Sequence, residues 1–256
     1  MTQVLLFAAS GPRVRRIPPD RPWLWLAKGL DDLRRAPDVS LAYGLGLAAV
    51  SIVLTAGLAV FGLYYLILPL TAGFFLIAPL LAVGLYEASR RLEIGLPVAF
   101  GTTVGAWRRN PTQIGLMGVM LLLIHLFWVR VATLLFALFF HEQAPGLEAL
   151  IDALFFSPVS LPFLITGSLI GAAFAALVFS IGAISIPMLL DRDVHVVAAM
   201  TTSWSAVLAN WKPMALWAAL IVVLTVLGFA TFCLGLAIAL PLVGHATWHA
   251  YRDLVS

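Results

Sequence analysis

Four long stretches of this chain contain no Asp, Glu, Lys or Arg: Val39 to Tyr86, Pro111 to Val129, Ser157 to Leu190 and Pro213 to Tyr251. About 20 apolar residues cross about 30 Å of hydrocarbon, so an uncharged run of ~40 or more must turn back on itself within the membrane. Composition agrees. Of 256 residues, 62% are hydrophobic and 11% charged, against roughly 45–50% and 25% in a soluble domain. A soluble fold of this chain would lack the charge to stay dispersed. The sequence therefore specifies an integral membrane protein.

The runs divide into six transmembrane helices in three hairpins, an all-α membrane protein. The first hairpin comprises about 39–65 and 67–89, turning near Tyr64–Pro69. The second comprises about 112–139 and 158–190. The third comprises about 213–230 and 233–252, turning near Gly228–Cys233. Residues 1–21 read as a flexible cytoplasmic tail, because Gly11, Pro12, Pro18 and Pro19 oppose regular structure. The apolar stretch Val4 to Ala9 is short and precedes Arg13, Arg15 and Arg16 instead of following them, which opposes a secretion signal. Residues 22–256 then form a single six-helix domain. The lone cysteine, Cys233, excludes an intrachain disulfide.

Basic residues stay on the cytoplasmic side of short loops. All but one fall in the amino-terminal tail, in 87–112, in 191–212 or at the carboxy-terminal end; the exception is Arg130, inside the third span. The loop at 140–157 has no Lys or Arg and carries Glu142, Glu148 and Asp152. Both termini are thus expected in the cytoplasm.

An internal repeat emerges from the prolines. Three amphipathic segments end in one: Leu30-Asp-Asp-Leu-Arg-Arg-Ala-Pro37, Val104-Gly-Ala-Trp-Arg-Arg-Asn-Pro111 and Ala206-Val-Leu-Ala-Asn-Trp-Lys-Pro213. Proline resets the chain where a helix lying on the membrane turns into one that crosses it. The exits match as well. Pro79 precedes Tyr86-Glu-Ala-Ser-Arg-Arg-Leu92 by the interval that separates Pro241 from Trp248-His-Ala-Tyr-Arg-Asp-Leu254, and Pro187 holds a similar place before Asp191-Arg192. The unit is an interfacial helix, a proline, a span, a turn and a span with a late proline, in copies at about 22–92, 93–192 and 193–256. In the first copy Trp23, Leu26, Leu30 and Leu33 form the anchoring face, and Lys28, Asp31, Asp32, Arg34 and Arg35 a solvated one.

The stretch from Arg16-Ile-Pro-Pro-Asp20 through Trp23 to Leu33-Arg-Arg-Ala-Pro37, followed by six spans, resembles the domain-of-unknown-function family 2189 of bacterial inner-membrane proteins, over nearly the whole chain. The resemblance implies a bacterial cytoplasmic membrane location without assigning an activity. Some members carry a cytochrome oxidase label, which the residues here oppose.

Haem ligation needs histidines facing one another within spans. Only His125 and His245 are intramembrane, and they lie at different depths. The ordinary role of each is a hydrogen bond to a neighbouring helix. His245 and His249 share a helix face at i,i+4, but no Cys or Asp lies in the same turn, and Trp248 and Tyr251 beside them suit an interfacial belt. Arg130 falls about 18 residues after Pro111, ~27 Å along a helix, where it can snorkel outward or pair with Glu142 or Asp152. The four uncharged runs contain no Asp or Glu, so a proton relay or cation site has no obvious residues. Gly167-x-x-x-Gly171, continued by Ala175, forms a small-residue stripe suited to close packing.

No catalytic, cofactor-binding or metal-binding set is therefore assigned. Arg130, His125 and His245 remain the candidate functional residues. Expected partners are membrane lipids, anionic headgroups included, and another membrane protein complex; nucleic acid is excluded. The first functional reading is a non-enzymatic accessory or scaffold component. The second is a transporter or channel for a small neutral or lipid-like solute, to which the repeats and span prolines also point. Reporter fusions at Ser256 and after Ala144 should give opposite compartment signals; matching signals overturn the six-span count.

Overall fold

A computed structural model describes residues 12–140 and 156–256. His141 and the acidic residues of the 140–157 loop lie outside the described residues, as does the apolar stretch Val4 to Ala9. Among the described residues all regular structure is helical, apart from one isolated antiparallel bridge between Val14 and Val255. In chain order the helices are α1 (Arg21–Arg35), α2 (Pro37–Val60), α3 (Ile67–Leu81), α4 (Val83–Glu93), α5 (Phe100–Val104), α6 (Pro111–Phe139), α7 (Ser160–Gly182), α8 (Ser185–Asp191), α9 (Val196–Ala209), α10 (Trp211–Ala230) and α11 (Leu236–Leu254). Short 3-10 turns at Tyr64–Leu66 and Gly105–Arg109 precede α3 and α6.

Five helices among the described residues are long and apolar enough to cross a membrane: α2, the α3–α4 pair over Tyr64–Glu93, α6, the α7–α8 pair over Ser160–Asp191, and α10. The expected sixth, α11, is not among them. Its second half carries His245, Trp248, His249, Tyr251, Arg252 and Asp253. Lipid would punish such a face, and the protein covers it. His245, Trp248, Tyr251 and Leu254 are each 0% exposed. The lipid-facing surfaces lie elsewhere, as Val53 and Leu54 of α2 and Leu123 and Phe127 of α6 are all more than half exposed.

α11 is the hub, packed by α1, α2, α4, α8 and α10. Close approach is possible because two neighbours present glycine. A Cβ on Gly29 of α1 would sit 2.8 Å from the Ala246 amide nitrogen, and one on Gly44 of α2 would collide with the Ala237 carbonyl. Without side chains there, the helix backbones touch.

The three junctions expected at prolines share one backbone conformation. Ala36 before α2 has φ −131, ψ 59; Asn110 before α6 has φ −147, ψ 67; Asn210 before α10 has φ −126, ψ 41. Pro37 and Pro111 take the first helical position, where the missing N–H costs nothing. Pro213 sits two residues further in, so the third bend belongs to Asn210. The Asn210 side chain fixes it by donating to the Arg15 carbonyl and accepting from the Ile17 amide. The second interfacial segment is shorter than expected, a single turn of α5 followed by 3-10 backbone.

The described part of the amino-terminal tail differs from the flexible segment expected at 1–21. Arg13 and Ser256 exchange backbone hydrogen bonds of 3.2 and 3.0 Å, and the Arg15 amide donates to the Leu254 carbonyl at 2.8 Å. The Arg15 guanidinium adds a bond to the Arg252 carbonyl. Prolines at 18 and 19 prevent a helix here but leave an extended strand free to pair.

The contact of α2 with α11 sets a prediction. Gly44→Ala should lower the melting temperature of the detergent-solubilised protein, by an overpacking cost of about 1–3 kcal/mol. Gly46→Ala, where a Cβ meets nothing within 4 Å, should cause no loss. Equal effects would refute the close approach.

Candidate functional site

Two features stand out from the packing: a buried polar chain that ties α11 to its neighbours, and an apolar cavity on α11's other side.

The polar chain centres on His245. Its Nε2 lies 2.9 Å from Ser40 Oγ of α2 and its Nδ1 lies 2.8 Å from Ser89 Oγ of α4. Both serines and the imidazole are fully buried. A neutral imidazole needs one donor and one acceptor partner. Each hydroxyl has a second acceptor in reach, the Ala36 carbonyl for Ser40 at 2.7 Å and the Asp32 carboxylate for Ser89. One serine therefore donates to the ring while the other receives from it, and the two hydroxyls turn together when the tautomer changes. Asp32 in turn lies 2.8 Å from His249 Nε2, one turn beyond His245. Ser40, His245, Ser89, Asp32 and His249 thus join α1, α2, α4 and α11.

Asp32 corrects the sequence reading of α1. The buried face of that helix is Pro22, Trp25, Gly29 and Asp32, and Trp23 is 57% exposed. The carboxylate counted on a solvated face is 4% exposed. Burial pushes its pKa up, but hydrogen bonds from His249 and Ser89 and the nearby imidazole charges outweigh that and hold it below the ordinary carboxylate value. Its charge has no periodicity of its own, so only the partner on α11 reveals the role.

A second layer closes the same end of the molecule. Asp253 receives both Arg21 Nε and Nη2 at 2.7 Å, and the Trp25 indole N–H at 3.0 Å. Glu93 accepts from the Trp248 indole at 2.9 Å and from Arg252 at 3.1 Å. Tyr251 donates to Asp191 at 2.7 Å and accepts from Arg192 at 2.9 Å. Trp248 and Tyr251, expected in an interfacial belt, are instead core residues. Between α1 and the end of α11 a polar cleft of about 380 Å³ remains, lined in part by Lys28, Asp31, Arg35 and His249.

The other candidates lie apart from this chain. His125 is buried, with Nδ1 3.1 Å from the Gly73 carbonyl of α3. A Cβ on Gly73 would collide with that ring. His125 and His245 are engaged with different helices, as expected for imidazoles that bond neighbours. Arg130 is exposed on α6 and makes no hydrogen bond or ion pair among the described residues; its expected partners Glu142 and Asp152 lie outside them. His245 and His249 share a face but bond separately to the serines and to Asp32. Among the described residues no group of three His, Cys, Asp or Glu is placed to hold a metal ion.

The cavity has a volume of about 950 Å³ and is walled by α3, α6, α7, α10 and α11. Its described lining has no Asp, Glu, Lys, Arg or His. The small-residue stripe of α7 faces it. Gly167, Gly171 and Ala175 all line the space, and a Cβ on Gly167 would meet nothing within 4 Å. The stripe serves both purposes: a Cβ on Gly171 would lie 3.1 Å from the Trp128 ring of α6, the close packing expected, whereas Gly167 opens onto the space. The sequence signal was present, since small residues mark either contact or space and only the neighbouring helix decides which.

The polar chain predicts a pH response. Asp32 titrates lower in the folded state than unfolded, so its stabilisation is full above the ordinary carboxylate pKa of about 3.9 and is lost as pH falls through the lowered value. Asp32→Asn should cost about 2 kcal/mol at neutral pH and flatten the acid limb of the melting-temperature curve. An acid limb unchanged in the variant would count against the Asp32–His249 contact.

No curated protein and no solved structure matches the chain. The resemblance rests on Arg16 to Pro37 and on the spans that follow; a family model matches the spans over just under half of the chain and leaves Arg16 to Pro37 outside. Residues 67–191, from the start of α3 to the end of α8, match the family described as predicted integral membrane protein (DUF2189).

Proposed function

We propose that this multi-pass membrane protein holds or moves a lipid-like neutral solute in the cavity between α3, α7, α10 and α11, without catalysing a reaction on it. The cavity is the observation that carries this reading. At about 950 Å³ it stands at the upper end of the ~300–1,000 Å³ typical of ligand sites, which suits a lipid better than a small solute. Its uncharged lining suits a molecule without net charge. The lipid-like solute thereby moves ahead of the accessory or scaffold role, which has no need of an internal space. The buried polar chain does not compete for the assignment, because Ser40, Ser89 and His245 are sealed from any substrate.

The proposed setting is the bacterial inner membrane, with six spans in three repeats and both termini cytoplasmic. Residues 13–15 pair with 254–256, so the two ends share a side. Five apolar helices alone would part them, and α11 as a sixth crossing restores the even count. The recurring backbone at Ala36, Asn110 and Asn210 supports the repeat. The basic residues gathered at this end favour the cytoplasm, where anionic headgroups are natural neighbours.

Purified in mild detergent, the wild-type protein should retain a neutral lipid detectable by mass spectrometry of an organic extract. Gly167→Phe, which fills open space on the cavity wall, should remove that lipid while leaving the melting temperature in place. Equal lipid in both preparations, or none in either, would sink the reading.

A further inference from the structure

The lining of the cavity is not uniformly inert. Three polar side chains on its wall are nearly complete in their burial: Tyr86 at 2% exposed, Trp217 at 1% and Thr225 at 2%. None of them makes a hydrogen bond among the described residues. The other buried polar groups near α11 are bonded; Thr247, also on the wall, donates to the Val243 carbonyl at 2.7 Å. No sealed side-chain nitrogen or oxygen among the described residues lacks a partner. The polar atoms of Tyr86, Trp217 and Thr225 therefore keep a sliver of accessible surface, and the space that their side chains line is the cavity.

These three define what a ligand must offer. An indole N–H only donates, and a phenol or threonine hydroxyl donates readily. Three donors without acceptors, in a wall without charge, ask for uncharged oxygen acceptors. Their depth along the helices is ordered. Tyr86 lies seven residues before the end of α4 and Trp217 six after the start of α10, ~10 and ~9 Å at 1.5 Å per residue. Both belong to the end where the basic residues gather. Thr225 lies eight residues further along α10, ~12 Å deeper. Beyond it the wall turns to Phe136 and Phe163 with the glycine stripe.

Resting on the proposed lipid-binding function, we infer that the cavity takes an uncharged diacylglycerol-type lipid, with Tyr86 and Trp217 donating to its ester carbonyls and the acyl chains running into the Phe-rich part. A free fatty acid or a phospholipid would bring a charge to a wall with no counter-ion, at a desolvation cost that the hydrogen bonds cannot offset. A hydrocarbon would leave three buried donors without partners. An ester lipid meets both conditions, and its two chains suit the size of the space.

The test compares dioleoylglycerol with its dialkyl ether analogue, which keeps the chains and loses both carbonyls. Binding to the full-length protein in detergent micelles is read by displacement of a fluorescent diacylglycerol. Wild type should prefer the ester lipid by about tenfold. Tyr86→Phe should reduce that preference several-fold while leaving ether-lipid affinity within twofold, and Thr225→Val, deeper in the cavity, should act more weakly. Melting temperatures of both variants check folding, and if Tyr86→Phe does not fold, ester against ether in wild type alone still decides. Equal affinity of wild type for ester and ether lipid, or an ester preference untouched in a folded Tyr86→Phe, overturns the carbonyl assignment. Tighter binding of dioleoylphosphatidic acid or oleate than of dioleoylglycerol overturns the neutral class. If no lipid of any kind binds, the failure lies with the lipid-binding function itself.

Discussion

Hydrocarbon offers no hydrogen bonds, so a polar group that water cannot reach in a membrane protein depends on partners that the protein supplies. The helix on which that constraint falls hardest is α11. It carries two histidines, an arginine, an aspartate and two polar aromatic residues within three turns. Over their apolar stretches, the five helices long and apolar enough to cross a membrane carry far fewer such groups. α11 can exist at the centre of the bundle only because four of its neighbours supply complements: serines from α2 and α4, a carboxylate from α1, another from the end of α4, and a third from α8. Those complements fix where the neighbours stand. Gly29 and Gly44 then let the backbones close to contact, and the apolar packing of Trp25, Leu85 and Ile186 follows from an arrangement that polar geometry has already chosen.

This dependence explains which parts of the fold were legible in the sequence. The apolar spans announce themselves, because a run without charge long enough to cross a bilayer has few other fates. Pro37 and Pro111 were equally legible, since their backbone restriction acts locally. Pro213 misled by two residues because Asn210 performs the same bend through its side chain, and nothing in the local sequence distinguishes a bending asparagine from a solvated one. The faces of α1 were harder. Trp23, Leu26 and Leu30 satisfy a helical period and face outward or half outward, whereas the protein-facing side mixes Trp25 with Gly29 and Asp32. A buried carboxylate looks like a surface one until its partner, more than 200 residues away in the chain, is placed beside it.

The candidate residues divide along the same line. His125 and His245 were legible as imidazoles that bond neighbouring helices, because a polar ring in an apolar stretch needs such partners. That Ser40 and Ser89 are the partners of His245 was not, since single serines occur throughout the spans and carry no spacing signal. The cavity was least legible. A gap is a property of how helices fail to meet, and the glycine stripe of α7 reads identically whether the facing surface is a helix or a void.

The polar chain and the cavity are two consequences of one placement. Gly244 and Thr247 of α11 line the cavity, while His245 between them points the other way into Ser40 and Ser89. The wall is therefore held from behind. The opposite wall is held likewise, because His125 bonds the Gly73 carbonyl and the Trp128 indole donates to the Pro69 carbonyl at 2.8 Å, fixing α3 on α6. Loosely packed apolar helices would slide together and close such a space, since dispersion rewards contact and nothing opposes it. Here each wall is anchored by hydrogen bonds between its own helices, whose rupture would leave polar groups unpaired in a medium without water. Collapse would have to break one set or the other. A space of about 950 Å³ kept open in this way is what the proposed lipid would enter, and the hydroxyls of Tyr86 and Thr225, which make no hydrogen bond among the described residues, are what it would satisfy.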